Sequence, residues 1–171
     1  MQKEDKTSYV EQVKTQAGKM LVLSDVDGCL TDGKFIYTVD GKVAKTFGPH
    51  DADGVKMLKK NGVMVKFITA DKRGLPITKK RIADMGCELY VVSEEMRKDF
   101  IANAKEKYNC DTVVFFGDGI NDALAAAGAD YFFAPNNARI EAKAMASFVT
   151  PSDGGNGAFL DMSLYIVNHI L

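Results

Sequence analysis

Asp25 and Asp27 stand two residues apart at the end of an apolar run, Met20-Leu21-Val22-Leu23, and Gly28 follows them at once. Side chains two apart on an extended strand share a face. Both carboxylates are therefore predicted to project from the carboxyl end of one strand, where the glycine lets the chain turn away sharply. Far along the chain a second apolar run, Thr112-Val113-Val114-Phe115-Phe116, ends in Gly117-Asp118-Gly119-Ile120-Asn121-Asp122. Ligands of open α/β sheets bind beyond the carboxyl ends of the strands, so two strands that both finish in carboxylates imply one acidic pocket. Unit charges 4 Å apart repel by about 4 kcal/mol at an effective dielectric near ~20. Four converging carboxylates need a cation to offset that, and a hard divalent ion with oxygen ligands, Mg2+, suits them. The competing reading makes these residues ordinary polar loop positions, and it has to explain the same pattern twice, each time after a buried-type strand.

The elements that must position these groups follow from periodicity. A strand over 20–25 carries the first acidic pair. Residues 35–47 read as a hairpin around Asp40-Gly41, a type I′ turn signal between β-branched flanks, and the hairpin is placed over the pocket or at its rim. Helices are predicted at 51–61, 74–85, 94–107, 121–127, 137–145 and 158–171, and strands at 63–68, 89–92, 112–117, 130–134 and 147–150. Asn61-Gly62 and Gly86 serve as stops, and Ser93 starts the 94–107 helix. A short helix is also expected in the polar stretch before the first strand. Strands alternating with helices give βαβ units and a mostly parallel sheet, in one α/β domain spanning 1–171. The last helix carries Phe159, Leu160, Met162, Leu164, Tyr165 and Ile166, more apolar surface than one core stripe requires, and so predicts a contact with another subunit.

Composition excludes several classes. A net charge of −1 gives no electrostatic footprint for nucleic acid or an anionic membrane, and no apolar run approaches a membrane span. The charged start, Met1-Gln2-Lys3-Glu4-Asp5-Lys6, predicts no secretory signal. Cys29, Cys87 and Cys110 form an odd, scattered set that fits reduced thiols and a cytoplasmic location. Cys29 lies beside the acidic motif but has no histidine in a recognisable pattern, and reads as a packing residue.

Four elements in order, Asp25-x-Asp27-Gly28, Thr69 after a strand, Lys98 on a helix, and Gly117-Asp118-x-x-Asn121-Asp122, together resemble the haloacid dehalogenase superfamily of phosphotransferases. The resemblance implies a three-layer Rossmann-like fold. Asp27-Gly28-Cys29-Leu30-Thr31-Asp32-Gly33, the hairpin after it, His50-Asp51-Ala52-Asp53-Gly54, and Gly154-Gly155-Asn156-Gly157-Ala158-Phe159 narrow the likeness to the capless octulosonate-phosphate phosphatases. What that implies is an aspartyl-phosphate mechanism with Asp25 as nucleophile and Asp27 as general acid, then base. Thr69 would hold a phosphoryl oxygen and Lys98 would neutralise the phosphate, with Lys79 and Lys80 as rivals for that cationic role. Mg2+ would be bound by Asp25, the backbone carbonyl of Asp27 and Asp118, with Asp122 in support. The family also implies a homotetramer whose subunits help cover each other's sites.

One departure bears on substrate. The octulosonate phosphatases usually continue the threonine motif with Gly-Arg, whereas Thr69-Ala70-Asp71-Lys72-Arg73 places an acid there, as relatives acting on nonulosonate 9-phosphates do. Lys72 or Arg73 is then the candidate contact for the sugar's carboxylate. His50 is either a substrate contact or a loop residue. Closing on its last helix, the sequence predicts none of the longer tail that some relatives insert into a neighbour's site. The Gly-Asp motif also resembles that of P-type ATPases, but Asp-Lys-Thr-Gly and membrane spans are absent, and a phosphomutase would need room for a cap. The remaining alternative is a non-catalytic domain of the same fold supporting a sugar-activating enzyme.

Overall fold

The structure, a computed structural model, describes residues 19–171; the helix expected before the first strand lies outside them. Six strands form one parallel sheet: β1 (Met20–Asp25), β4 (Met64–Thr69), β5 (Glu88–Val91), β6 (Thr112–Phe116), β7 (Tyr131–Ala134) and β8 (Phe148–Val149), in the order β5-β4-β1-β6-β7-β8. The first strand sits between β4 and β6, with Asp25 beside Ile68 and Ser24 beside Phe116. The order reverses direction at β1, so a crevice opens at its carboxyl end.

Alternation along β1 divides the core. Met20 and Val22 join Val65, Phe67, Val114 and Phe116 in one apolar layer, while Leu21 and Leu23 join Ile68, Val113 and Phe115 in the other. The first layer is covered by α1 (Asp51–Lys60), α2 (Leu75–Asp84) and α7 (Ala158–His169). The second is covered by α3 (Glu94–Ala102), α4 (Ala104–Tyr108), α5 (Ile120–Ala125) and α6 (Ile140–Met145). This is the three-layer α/β fold that the sequence predicts. The helix expected over 94–107 is broken at Asn103 into α3 and α4.

The hairpin consists of β2 (Ile36–Thr38) and β3 (Gly41–Ala44), paired antiparallel. Its turn is not type I′. Thr38 pairs with Gly41, so Val39 and Asp40 form the tip, and only Gly41 takes a positive φ, +111°. A type I′ turn needs positive φ at both central residues, which β-branched Val39 resists.

The final helix uses most of its apolar residues at home. Phe159, Met162 and Ile166 are buried against α1 and the sheet, and Tyr165 stacks on Phe148 at 3.9 Å between ring centroids. Leu164 remains exposed. A run of exposed apolar side chains lies instead on the hairpin, at Phe35, Ile36, Tyr37, Val39 and Val43, with others scattered over the helices.

Candidate active site

Asp25 closes a strand buried along its whole length, and the chain leaves it through a tight turn in which the amides of Cys29 and Leu30 donate to the Val26 carbonyl. Gly28 is required there twice over. Its φ is +88°, and a Cβ would lie 2.0 Å from Asp118 Oδ2. Without a side chain at 28, the Asp118 carboxylate can lie directly over the first acidic loop. The glycine-rich segment clamps this loop from outside, with the Gly155 amide donating to the Cys29 carbonyl at 3.2 Å.

The second acidic motif forms in the same way. Asp122 lies in the first turn of α5 and accepts the amides of Asp118 and Gly119 on Oδ2, each at 3.0 Å. Gly117 makes room, since a Cβ there would come within 2.5 Å of the Asp122 side chain. Asp122 Oδ1 accepts from Arg97 Nη1, and Arg97 Nη2 lies 3.4 Å from Asp25 Oδ1. Asp122 is thus engaged on both oxygens as a strut between loop and cation.

The two motifs meet. Oxygens of Asp25, Asp118 and Asp122 lie within 4.8 Å of one another, at one end of a cavity of about 530 Å³. Asp27, Thr69, Asp71, Phe35, Lys42 and Arg139 also line it. Burial first, and then the Asp122 carboxylate, hold the Asp25 carboxyl well above the usual carboxylate range against the pull of Arg97. Burial and Asp122 likewise push Asp118 up to about 7. Crowded oxygen donors that resist ionisation together are the environment a hard divalent cation relieves, so the residues present fit such an ion. Cys29 is fully buried and its thiol is pushed up by burial and then by Asp118, which keeps it protonated and suits a packing role.

Of the expected site residues, Asp25, Asp27, Thr69, Asp118 and Asp122 come together on this cavity. Lys98 does not: it is exposed on α3, and Arg97 occupies the place beside the carboxylates. The helix buries Arg97 and Ile101, one turn apart, so residue 98 is rotated toward solvent. The apolar residue four places after Arg97 was the available signal. Lys72 lines a neighbouring groove with Tyr90 and Met96. Arg73 is exposed, with Nη1 donating to the Tyr37 hydroxyl at 3.4 Å, and His50 is exposed just before α1. None of these three lines the cavity.

Lys42 and Lys45 on the hairpin side, and Arg139, were not anticipated. Lys42 Nζ is 2.5 Å from Asp71 Oδ2 and packs over the Phe35 ring. Lys45 Nζ reaches both Asp27 and Asp71. Burial alone would raise Asp71, but hydrogen bonds from Lys42 and Lys45 outweigh it and hold the carboxyl well below the usual range. The hairpin therefore folds over the cavity. Arg139 is exposed at the mouth, its amide donating to the Asp118 carbonyl at 2.9 Å and its guanidinium paired with half-buried Glu141.

Comparison with known proteins agrees with this geometry. No family model matches the chain. The 3-deoxy-D-manno-octulosonate 8-phosphate phosphatase of Haemophilus influenzae is 33% identical over 144 residues, covering 83% of this chain and 79% of that protein. The cobalt-bound structure of the phosphatase from that organism superposes with a TM-score of 0.79 at 30% identity, covering 90% of each chain. N-acylneuraminate cytidylyltransferase of Oncorhynchus mykiss is 28% identical over 153 residues, which are 86% of this chain but only 35% of that enzyme. With its acidic centre at the switch point of a parallel sheet and this degree of likeness, the chain belongs to the 3-deoxy-D-manno-octulosonate 8-phosphate phosphatase family, phosphoric monoester hydrolases of the haloacid dehalogenase superfamily.

Proposed function

We propose that this chain hydrolyses the phosphate monoester of a sugar acid, 3-deoxy-D-manno-octulosonate 8-phosphate or a nonulosonate 9-phosphate, through an aspartyl-phosphate on Asp25. The observation that carries the reading is the gathering of Asp25, Asp118 and Asp122 with Arg97 at one cavity. Asp25 attacks phosphorus while Asp27 gives its proton to the leaving sugar oxygen as the P–O bond breaks. Asp27, now a carboxylate, takes a proton from water; the water oxygen bonds phosphorus, the Asp25–phosphorus bond breaks, and inorganic phosphate leaves. Arg97 and Thr69 hold the phosphoryl oxygens, so the work is chiefly positioning and charge stabilisation. Asp25, Asp118 and the Asp27 carbonyl would hold Mg2+, with Asp122 bracing them, and the ion would supply neutralisation of phosphate charge. Arg139, exposed at the mouth and paired among the described residues with Glu141 two places along, would meet the sugar's carboxylate.

The exposed apolar hairpin supports a homo-oligomer, a tetramer by family likeness, and its mass by light scattering would change on Val39→Lys and Val43→Lys. One domain over 1–171 and a cytoplasmic location complete the reading; among the described residues no helix is long and apolar enough to cross a membrane. The likeness to part of a cytidylyltransferase favours one second reading, a domain supporting a sugar-activating enzyme. Phosphate release from a panel of eight- and nine-carbon sugar-acid phosphates, with Mg2+ and with chelator, separates the two. A kcat/KM highest on one of these substrates and lost on chelation is expected, and absence of metal-dependent release from all of them would overturn the phosphatase reading.

A further inference from the structure

We propose that Lys45 is a positioning residue that aims Asp27 at the leaving group, and that Asp71 serves as its anchor. The inference rests on the phosphatase reading above. The side chain of Lys45 is fully buried although it carries a charge, and its ammonium meets three acceptors: Asp27 Oδ2 at 2.8 Å, Asp71 Oδ2 at 2.8 Å and Thr78 Oγ1 at 2.9 Å. Two of these contacts, to Asp27 Oδ2 and Thr78 Oγ1, are directed hydrogen bonds and the third, to Asp71, is an ion pair, so the buried head group is held from three sides. Its acceptors come from the loop after β1, the loop after β4, and α2.

The contact with Asp27 is asymmetric. Nζ lies 2.7 Å from Oδ1 and 2.8 Å from Oδ2, but only Oδ2 receives a well-directed hydrogen bond. Oδ1 is buried and has no hydrogen-bond partner among the described residues. Lys45 thereby touches both oxygens and fixes the carboxyl plane, holding Asp27 in one orientation at the edge of the cavity, as a general acid requires when its proton must reach one particular substrate atom. As the proton leaves for the sugar oxygen, negative charge appears on Asp27 with the Lys45 ammonium already beside it, so the ion pair strengthens as the reaction proceeds.

Asp71 then has a defined part. Its Oδ1 accepts the amides of Arg73 and Gly74 at 3.1 and 3.0 Å, and its Oδ2 accepts from Lys42 and lies 2.8 Å from Lys45. The carboxylate is occupied on both oxygens, and acts as a fixed post holding the hairpin's two lysines over the site rather than as a free group for substrate. A residue one link away from the chemistry thus sets where the general acid points.

Leaving-group dependence tests this. kcat/KM reports the step in which the leaving oxygen departs, and an alkyl phosphate needs the proton from Asp27 far more than p-nitrophenyl phosphate does. Lys45→Met should lower kcat/KM on the sugar-acid or another alkyl phosphate by roughly 100-fold or more, within the range for losing general-acid catalysis, and by at least about tenfold less on the aryl ester. Lys45→Arg should recover part of the alkyl activity. In the Asp27→Asn background the Lys45→Met change should have little further effect on either ester, since both act through one group. An equal fall on both esters, or full additivity with Asp27→Asn, would overturn the proposal and leave Lys45 a structural residue. If Lys45→Met fails to fold, Thr78→Val removes one of the three acceptors and must shift the alkyl-to-aryl ratio in the same direction, and an unchanged ratio overturns the proposal. Asp25→Asn run alongside keeps the levels apart, because retained turnover in that variant refutes the phosphatase mechanism itself, whatever Lys45 does.

Discussion

Asp118 and Asp51 are two carboxyl groups pushed up to about 7 in the same molecule, both chiefly by burial, but only Asp118 is raised further by neighbouring carboxylates. Asp118 is partly buried and crowded by Asp122, with Asp25 close by, over a glycine that admits it. Asp51, in the first turn of α1, is wholly buried and crowded by nothing; burial alone raises it, against a weak pull from Arg81 3.9 Å away. Arg81 gives its Nη2 proton to the Gly48 carbonyl instead, at 2.8 Å, and neither Asp51 oxygen has a hydrogen-bond partner among the described residues. Like-charge crowding can be relieved by a cation arriving from solvent, whereas desolvation with no partner cannot. A perturbed carboxyl is therefore evidence of function only when part of its shift comes from crowding that a ligand would remove.

The widest separation between the two regions is in turnover. Asp25→Asn should lower kcat on any phosphate monoester by about 10⁴-fold or more, the scale of losing a nucleophile, while Asp51→Asn stays within about twofold; comparable losses in both variants would erase the distinction. Next in size is Gly28→Ala. The Cβ would stand 2.0 Å from Asp118 Oδ2 at a φ of +88°, so a stability loss of roughly 3 kcal/mol is expected in denaturant titration, the upper range for steric strain at a buried site. A cost under about 1 kcal/mol would mean that the two acidic loops are not locked together.

Most of the acidic centre was legible in the sequence because each motif is local: a buried strand, a pair or triplet of acids, and a glycine that frees the turn. The alternation of strands and helices likewise survives translation into structure, since periodicity reports which face is buried. What failed to show was set by contacts between distant segments. Lys98 stands out over Lys79 and Lys80 because the cation is expected on the helix before the Gly-Asp strand, and Arg97 escapes notice although Arg97 and Ile101 mark that helix's buried face. The role of Asp71 was hidden because its partners, Lys42 and Lys45, arrive on a hairpin whose direction no local pattern encodes. The turn at Val39-Asp40 was misread because Asp-Gly has another use, with glycine one place after the tip.

A divalent cation should sharpen the contrast further. At a concentration about 100 times its Kd, an ion that binds only the folded chain adds about 2.7 kcal/mol. Thermal melts with Mg2+ and with chelator should differ accordingly in the parent and in Asp51→Asn. Asp118→Asn should lose the difference, having lost a ligand; a full metal shift in that variant would move the site elsewhere.

The smallest effect belongs to Asp51 and is read against pH. Its carboxyl titrates near 3.8 when exposed and about 7 in the folded chain, so between those values the native state holds one proton more than the unfolded state. Stability from this group therefore falls as pH rises through that window and levels off above about 7. Three pH units at about 1.4 kcal/mol each set a ceiling of about 4 kcal/mol. Asp51→Asn should recover about 1–2 kcal/mol of it at pH 8, less than the ceiling because an unpaired amide is itself costly to bury. The same substitution should flatten the slope between pH 4 and 7, measured in chelator so that the acidic centre stays free of metal. If instead Asp51→Asn destabilises at pH 8 as much as at pH 5, the Arg81 contact outweighs desolvation, and Asp51 is a paired charge like those at the centre rather than their opposite.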